Sequence, residues 1–109
     1  MIDFSDFQKV DIRTGTITRA ELNPQAHTPA YVMHIDFGEM GEKVSSAQIT
    51  ENYGPEDLVG LQVIAVVNFP PKRIAGVKSE VLVLGAMSDR DGTVLLQTER
   101  PTENGISIA

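Results

Sequence analysis

The sequence predicts an all-β barrel of short strands with one short helical segment. Three observations point there. Alternation of apolar residues with period two is the dominant pattern, short apolar runs recur between Gly, Pro and Asp turns, and the one helical stretch of any length is interrupted by Gly54-Pro55. A chain of 109 residues, 41% hydrophobic and 22% charged, has the size of one domain spanning residues 1–109. A domain of that size removes about two-thirds of its unfolded surface from water, enough for one core without disulfides.

Taken in order, Asp3–Gln8 suits a turn of helix with Phe4 and Phe7 on one side. Val10 and Ile12 are then apolar at even positions and Ile17 at an odd one, so the inward face changes parity across Gly15. A bulge or sharp bend at that glycine would produce the change. From Tyr31 to Phe37 the odd positions are apolar while His34 and Asp36 are polar, which makes a strand with one buried face. Lys43–Gln48 reads as a short strand. Ala47–Leu58 gives two short helical turns, with Pro55 opening the second and Glu56 and Asp57 at its positive end. Leu61–Val67 is apolar at six of seven positions, as suits a strand covered on both faces, and Val81–Leu84 is similar. The turn Asp89-Arg90-Asp91-Gly92 leads into a sixth run, Thr93–Gln97. Ile106 and Ile108 alternate in the tail beyond Arg100, which has little core left to join and is expected to pair with a second subunit. Three strands, a short helix and two strands is the order of an OB-fold barrel, and strand counting leaves a generic small β-barrel equally open.

Charge and chemistry narrow the function. Nine Lys and Arg against fifteen Asp and Glu leave a net charge of −6, which argues against a polyanionic partner. The distribution qualifies this. Residues 1–60 hold ten acidic and four basic side chains, residues 61–109 hold five of each, and Lys72, Arg73 and Lys78 fall within seven residues free of acid. The absence of cysteine removes thiolate chemistry and cysteine zinc sites and agrees with a reducing compartment. Residues 1–6 have neither the basic start nor the apolar run of a signal peptide, and no apolar stretch approaches the ~20 residues of a membrane span, so a cytoplasmic protein without membrane insertion is expected. His27 and His34 lack partners at ligand spacing, Ser45 and Ser46 lie outside a nucleophile elbow, and no phosphate-binding glycine loop occurs. The expectation is a binding protein, not an enzyme, with no metal and no cofactor.

The stretch from Asn68 to Glu80 carries the most information. It joins the fourth and fifth strands and contains Phe69, two prolines that stiffen it, the three clustered bases and Ser79. In an OB-fold this connection flanks the face where single-stranded nucleic acid lies. Lys72, Arg73 and Lys78 suit phosphates, Asn68, Ser79 and Gln48 suit base edges or sugars, and Phe69 or Tyr31 suit stacking. The same residues also suit a proline-rich hairpin loop whose charges serve solubility. Glu80, beside these bases, is suited either to orienting Lys78 or Arg73 or to accepting from a base or 2′-hydroxyl.

At these residues the sequence resembles the CsaA family, export-related chaperones that belong to the wider tRNA-binding OB-fold group also found as accessory domains of aminoacyl-tRNA synthetases. The matching segments are Val10–Gly15, Pro29-Ala30-Tyr31, Ile35–Gly38, Ser45-Ser46-Ala47-Gln48-Ile49-Thr50 and Val67–Gly76 continuing through Ser79-Glu80-Val81-Leu82. The resemblance covers nearly the whole chain and selects the five-stranded OB-fold Greek-key barrel, with a short helix between strands three and four and terminal extensions. It implies a homodimer joined through those extensions, and a ligand surface that includes Ser45, Ser46, Gln48 and the Asn68–Arg73 loop. The positions of the broader tRNA-binding pattern fall on Asn68, Pro71, Ser79 and Glu80. Relatives tend to carry bases where this chain has His27 and Thr28, and a lysine where it has Val32. Fewer phosphate contacts mean less counterion release. The resemblance therefore implies a chaperone for unfolded or pre-export polypeptides, with grooves lined by Phe69, Tyr31 and Ile74, and tRNA binding through the dimeric basic surface is the alternative.

Overall fold

The computed structural model describes residues 1–109. In chain order it contains α1 (Phe4–Gln8), β1 (Ile12–Leu22), β2 (Tyr31–Asp36), β3 (Glu42–Ala47), α2 (Pro55–Leu58), β4 (Gln62–Val66), β5 (Lys72–Ile74), β6 (Val77–Ser79), β7 (Leu82–Val83), β8 (Gly85–Ser88) and β9 (Gly92–Leu95). The 11-residue β1 is long enough to serve two neighbours: Ile12–Thr16 pair with β4 and Thr16–Leu22 with β2, both antiparallel. The sheet runs β3-β2-β1-β4-β7 and curls into a nearly closed five-stranded barrel of the OB-fold kind. Closure falls to the segment after β6, where the Glu80 N–H donates to the Val44 carbonyl at 2.8 Å.

The core follows the alternation in β2, where Tyr31, Met33 and Ile35 are buried, and continues through Phe37, Val63, Ala65 and Val81. α2 adds the fully buried Leu58. Its single turn starts where Pro55 has no N–H to leave unpaired, and the Asp57 carboxylate accepts from the Gly54 N–H at 2.8 Å. β2, β4 and β7 are shorter at their ends than the sequence suggests, and β3 keeps its expected length one residue earlier. Leu82 is half exposed, so the fifth strand is not covered on both faces.

The parity change in β1 has a different cause from the expected bend at Gly15. Pairing with β4 runs unbroken through Gly15, and the register against β2 breaks between Ile17 and Arg19 instead. Gly15 itself faces the core: a Cβ there would lie 2.7 Å from both Ile35 Cγ2 and Phe37 Cε1. Gly15 and Ile17 thus share the inward face, and Ile12 and Thr14 lie on the opposite one, which the C-terminal tail covers.

The tail pairs with its own chain, which corrects the expectation that it would await a second subunit. The Thr14 N–H donates to Ile106 O at 3.2 Å, Gly105 N–H to Thr14 O at 2.7 Å and Ile108 N–H to Ile12 O at 2.9 Å, with an isolated bridge between Arg13 and Ser107. These bonds fill the stretch of β1 edge that β2 leaves free. Side chains reinforce them: Thr14 Oγ1 donates to Glu103 O at 2.7 Å and Gln62 Nε2 to Thr102 O at 2.7 Å. The Arg13 guanidinium bridges Asp11, at 2.6 Å, and Gly105 O, at 3.0 Å, and its hydrogen bond to Asp11 raises its pKa above the ordinary arginine value. The run after Asp89–Asp91 forms a separate hairpin, β8 with β9, whose outer edge is capped by Asn52 Nδ2 on the carbonyls of Asp91 and Thr93 and by the Tyr53 hydroxyl on the Leu95 N–H. No helix is long and apolar enough to cross a membrane.

Candidate functional site

The basic connection is more ordered than a loop. After Phe69-Pro70-Pro71 the chain folds into a two-stranded hairpin in which Lys72 faces Ser79, Arg73 faces Lys78 and Ile74 faces Val77. Ala75 and Gly76 turn the chain at φ of 47° and 82°, the pair of positive values that a two-residue type I′ hairpin turn requires. Ala75 is the only non-glycine residue with positive φ, and Asn23 holds it there by donating from Nδ2 to its carbonyl at 3.2 Å. Residues directly opposite share a face and alternate along a strand. Arg73 and Lys78 therefore stand on one face, and Lys72, Ile74, Val77 and Ser79 on the other.

The hairpin's cations are unneutralised. Lys9, Arg13, Arg19, Arg90 and Arg100 each lie beside a carboxylate, whereas Lys72, Arg73 and Lys78 have none within 4.0 Å. Arg73 donates only to Gly76 O, at 3.2 Å. On a chain with fifteen carboxylates this leaves a local positive field at the hairpin, with Glu80 as the carboxylate in the adjoining wall.

The other hairpin face borders two adjoining hollows. One, of about 280 Å³, lies among Phe69, Pro70, Ile74, Leu82, Ser79 and Glu80. The second, of about 510 Å³, is bounded by His27, Gln48, Ile74, Leu82 and Met87. Ser46, Ile74 and Leu82 belong to both, so they form one groove with an apolar floor and a polar rim. Phe69 is 54% exposed and Met87 81%. Both are apolar side chains left open to solvent along the groove.

The structure sorts the residues singled out in the sequence. Ser46, Gln48, Phe69, Lys72 and Ser79 border the groove, Pro71 is exposed at its approach, and Arg73 and Lys78 lie on the far face of the hairpin. Tyr31 is not available for stacking, because it is 4% exposed and its hydroxyl donates to Tyr53 O at 2.5 Å. Ser45 is likewise buried. Asn68 clamps the N-terminal segment: Oδ1 accepts from the Asp11 N–H at 2.9 Å and Nδ2 donates to Lys9 O at 2.8 Å. Ser79 Oγ accepts from the Ser46 N–H at 3.0 Å and Glu80 Oε1 from the Val44 N–H at 3.1 Å, so both side chains line the free edge of β3. Glu80 therefore orients neither Lys78 nor Arg73. Three residues of the tRNA-binding pattern thus build the platform. Leu82 escaped the sequence reading because it sits in the strand-like run Val81–Leu84, where apolar residues pass for core, and Met87 because it falls between that run and the Asp89–Gly92 turn. Asn23 escaped it because nothing in sequence links it to Ala75.

Comparison with known proteins accords with this geometry. Residues 12–107 match the family described as "Putative tRNA binding domain". The methionine-tRNA ligase of Methanococcoides burtonii is 36% identical over 108 residues, 99% of this chain but only 16% of the ligase, so the chain spans about a sixth of that relative's length. The crystal structure of the chaperone CsaA from Bacillus anthracis superposes with a TM-score of 0.95 at 55% identity, covering 100% of this chain and 99% of that one. The CsaA chaperone protein from Picrophilus torridus gives 0.94 at 50% identity, with 100% of both chains covered. With its barrel, its hairpin and its full length matched in this way, the chain belongs to the tRNA-binding domain family, and within it to the CsaA family.

Proposed function

We propose that the chain is a homodimeric, cytoplasmic tRNA-binding protein that takes the phosphate backbone on its hairpin and unstacked bases in the adjoining groove. The observation that carries this reading is the trio Lys72, Arg73 and Lys78, unpaired on an otherwise acidic chain in which most other cations have a carboxylate partner. Family membership and the likeness to methionine-tRNA ligase support it. No step here calls for catalysis or a cofactor. One copy offers few phosphate contacts, and two copies in a dimer would join two modest patches by raising the effective concentration of the second contact. Titration of tRNA at low and moderate salt tests the reading. Binding should weaken steeply with salt, and Lys72→Ala and Arg73→Ala should each lower the affinity and flatten the log–log salt slope by about 1. Failure to bind at low salt would overturn it.

A second reading is that the groove holds unfolded or pre-export polypeptide. Its support is the run of exposed Phe69, Ile74, Leu82 and Met87, together with the high identity to two solved CsaA chaperones. Suppression of client aggregation at stoichiometric amounts tests it, and no effect at several-fold excess sinks it.

A further inference from the structure

We propose that the smaller hollow is a receptor for a single unstacked guanine, with the Glu80 carboxylate as the group that reads it. The proposal rests on the tRNA-binding reading and adds a base preference to it. Shape comes first. The half-exposed Phe69 ring, Pro70, Ile74 and Leu82 offer flat apolar surface on which any base can stack, and that alone is sequence-tolerant. The selective part is the acid. A carboxylate beside a phosphate-binding hairpin weakens general attraction for nucleic acid, so its presence in this wall favours a ligand that donates to it. One oxygen of Glu80 is engaged by the Val44 N–H, and the side chain makes no other hydrogen bond. No buried side-chain polar atom lacks a partner, so the second oxygen, which has none, is not sealed from solvent and is free to accept. Ser79 accepts from the Ser46 N–H, which leaves its own hydroxyl hydrogen to give, and the unpaired Lys72 ammonium stands on the same hairpin face.

An acceptor-only carboxylate beside a donor hydroxyl and ammonium has one good match among the four bases. Guanine presents N1–H and N2–H side by side as donors, with O6 next to them as an acceptor. Adenine and cytosine each offer the carboxylate one amino donor but set an unprotonated ring nitrogen beside it, where guanine has a second donor, and uracil flanks its single donor with two carbonyls. Sites that hydrogen-bond a ligand discriminate more sharply than sites that only enclose it.

The test uses short single-stranded oligouridine RNAs carrying one central guanine, inosine, adenine or uracil, with whole tRNA titrated in parallel. The guanine oligomer should bind roughly tenfold tighter than the adenine or uracil ones, with inosine, which lacks the 2-amino group, between them. Glu80→Gln keeps an oxygen for the Val44 N–H but turns the free oxygen into a donor and removes a negative charge. It should erase the guanine preference while tRNA affinity holds or rises, a split that damage to the barrel edge would not produce. Phe69→Ala, at an exposed position, should weaken every oligomer by roughly tenfold and keep the preference. Equal binding of all four oligomers to the unaltered protein, or a full guanine preference surviving in Glu80→Gln, overturns the guanine site while tRNA binding stands. Absence of tRNA binding overturns the underlying reading and this site with it.

Discussion

Asn68, Ser79 and Glu80 make one point at the scale of the residue: each side chain spends hydrogen-bonding capacity on the backbone of a neighbouring segment. Asn68 joins the start of the basic connection to the backbone of residues 9–11, and Ser79 and Glu80 satisfy β3 N–H groups that no strand reaches. Unsatisfied, a buried donor of this kind costs roughly 1–3 kcal/mol, so polar residues are placed here for the fold, and only an atom left over, such as the second Glu80 oxygen, remains for recognition. Gly15 is a second case of a residue explained by its neighbours. It faces Ile35 and Phe37 with no room for a methyl group. Gly15→Ala should therefore destabilise by about 1–3 kcal/mol through overpacking, although alanine suits a strand backbone better than glycine does. Urea unfolding should show a lower midpoint at unchanged slope.

At the scale of the element, the hairpin β5–β6 is the unit that has to be held. Three residues per strand do not sustain a hairpin alone, and its turn keeps an alanine in the left-handed region at a cost of about 1–2 kcal/mol. The buried Asn23 is the brace. It donates to Ala75 O and accepts from the Gln25 N–H at 3.0 Å, tying the hairpin tip to the segment after β1. Asn23→Ala should loosen the tip without removing any groove or cationic side chain. We expect tRNA affinity to fall several-fold while hydrogen exchange speeds up at residues 74–77 and stays slow in β2. The strands of the barrel were legible in the sequence because alternation in β2 and the apolar run in β4 report burial directly. The sequence offered a hairpin loop at the basic connection but not its strand pairing, since Lys72–Ser79 has no alternation and the pairing is braced by contacts from distant residues. Tyr31 was offered for stacking although the same alternation already set it on the buried face of β2, and Tyr53 accounts for its hydroxyl. The tail was read as a partner strand because residues 12–14 of β1 offered no sequence sign that one edge remained free.

At the scale of the whole molecule, the net charge of −6 describes most of the surface but not the hairpin, and the two ends of the chain pose a separate question. The tail covers the outer face of β1, yet the terminal region stays apolar: Phe4, Phe7, Val10 and Ile108 surround a hollow of about 530 Å³ between α1 and the tail, and Phe4 is 72% exposed. The Phe4 and Phe7 rings stand 6.3 Å apart and leave that side of α1 open. A five-residue helix with no buried residue is marginal by itself and gains most from being packed. A second copy placed on this surface would cover both ends at once, and Asn68 would connect the covered segment to the ligand hairpin. Phe4→Asp puts a charge where such an interface would be dry, and charge there opposes association, whereas the barrel core does not include Phe4. In sedimentation or light scattering at micromolar concentration, the unaltered chain should have twice the monomer mass and Phe4→Asp should shift toward the monomer. The variant should retain its far-ultraviolet spectrum and lose tRNA affinity more than a single-patch titration would suggest, because the avidity of two hairpins goes with the dimer. A chain that is monomeric before substitution would remove both the interface and that coupling.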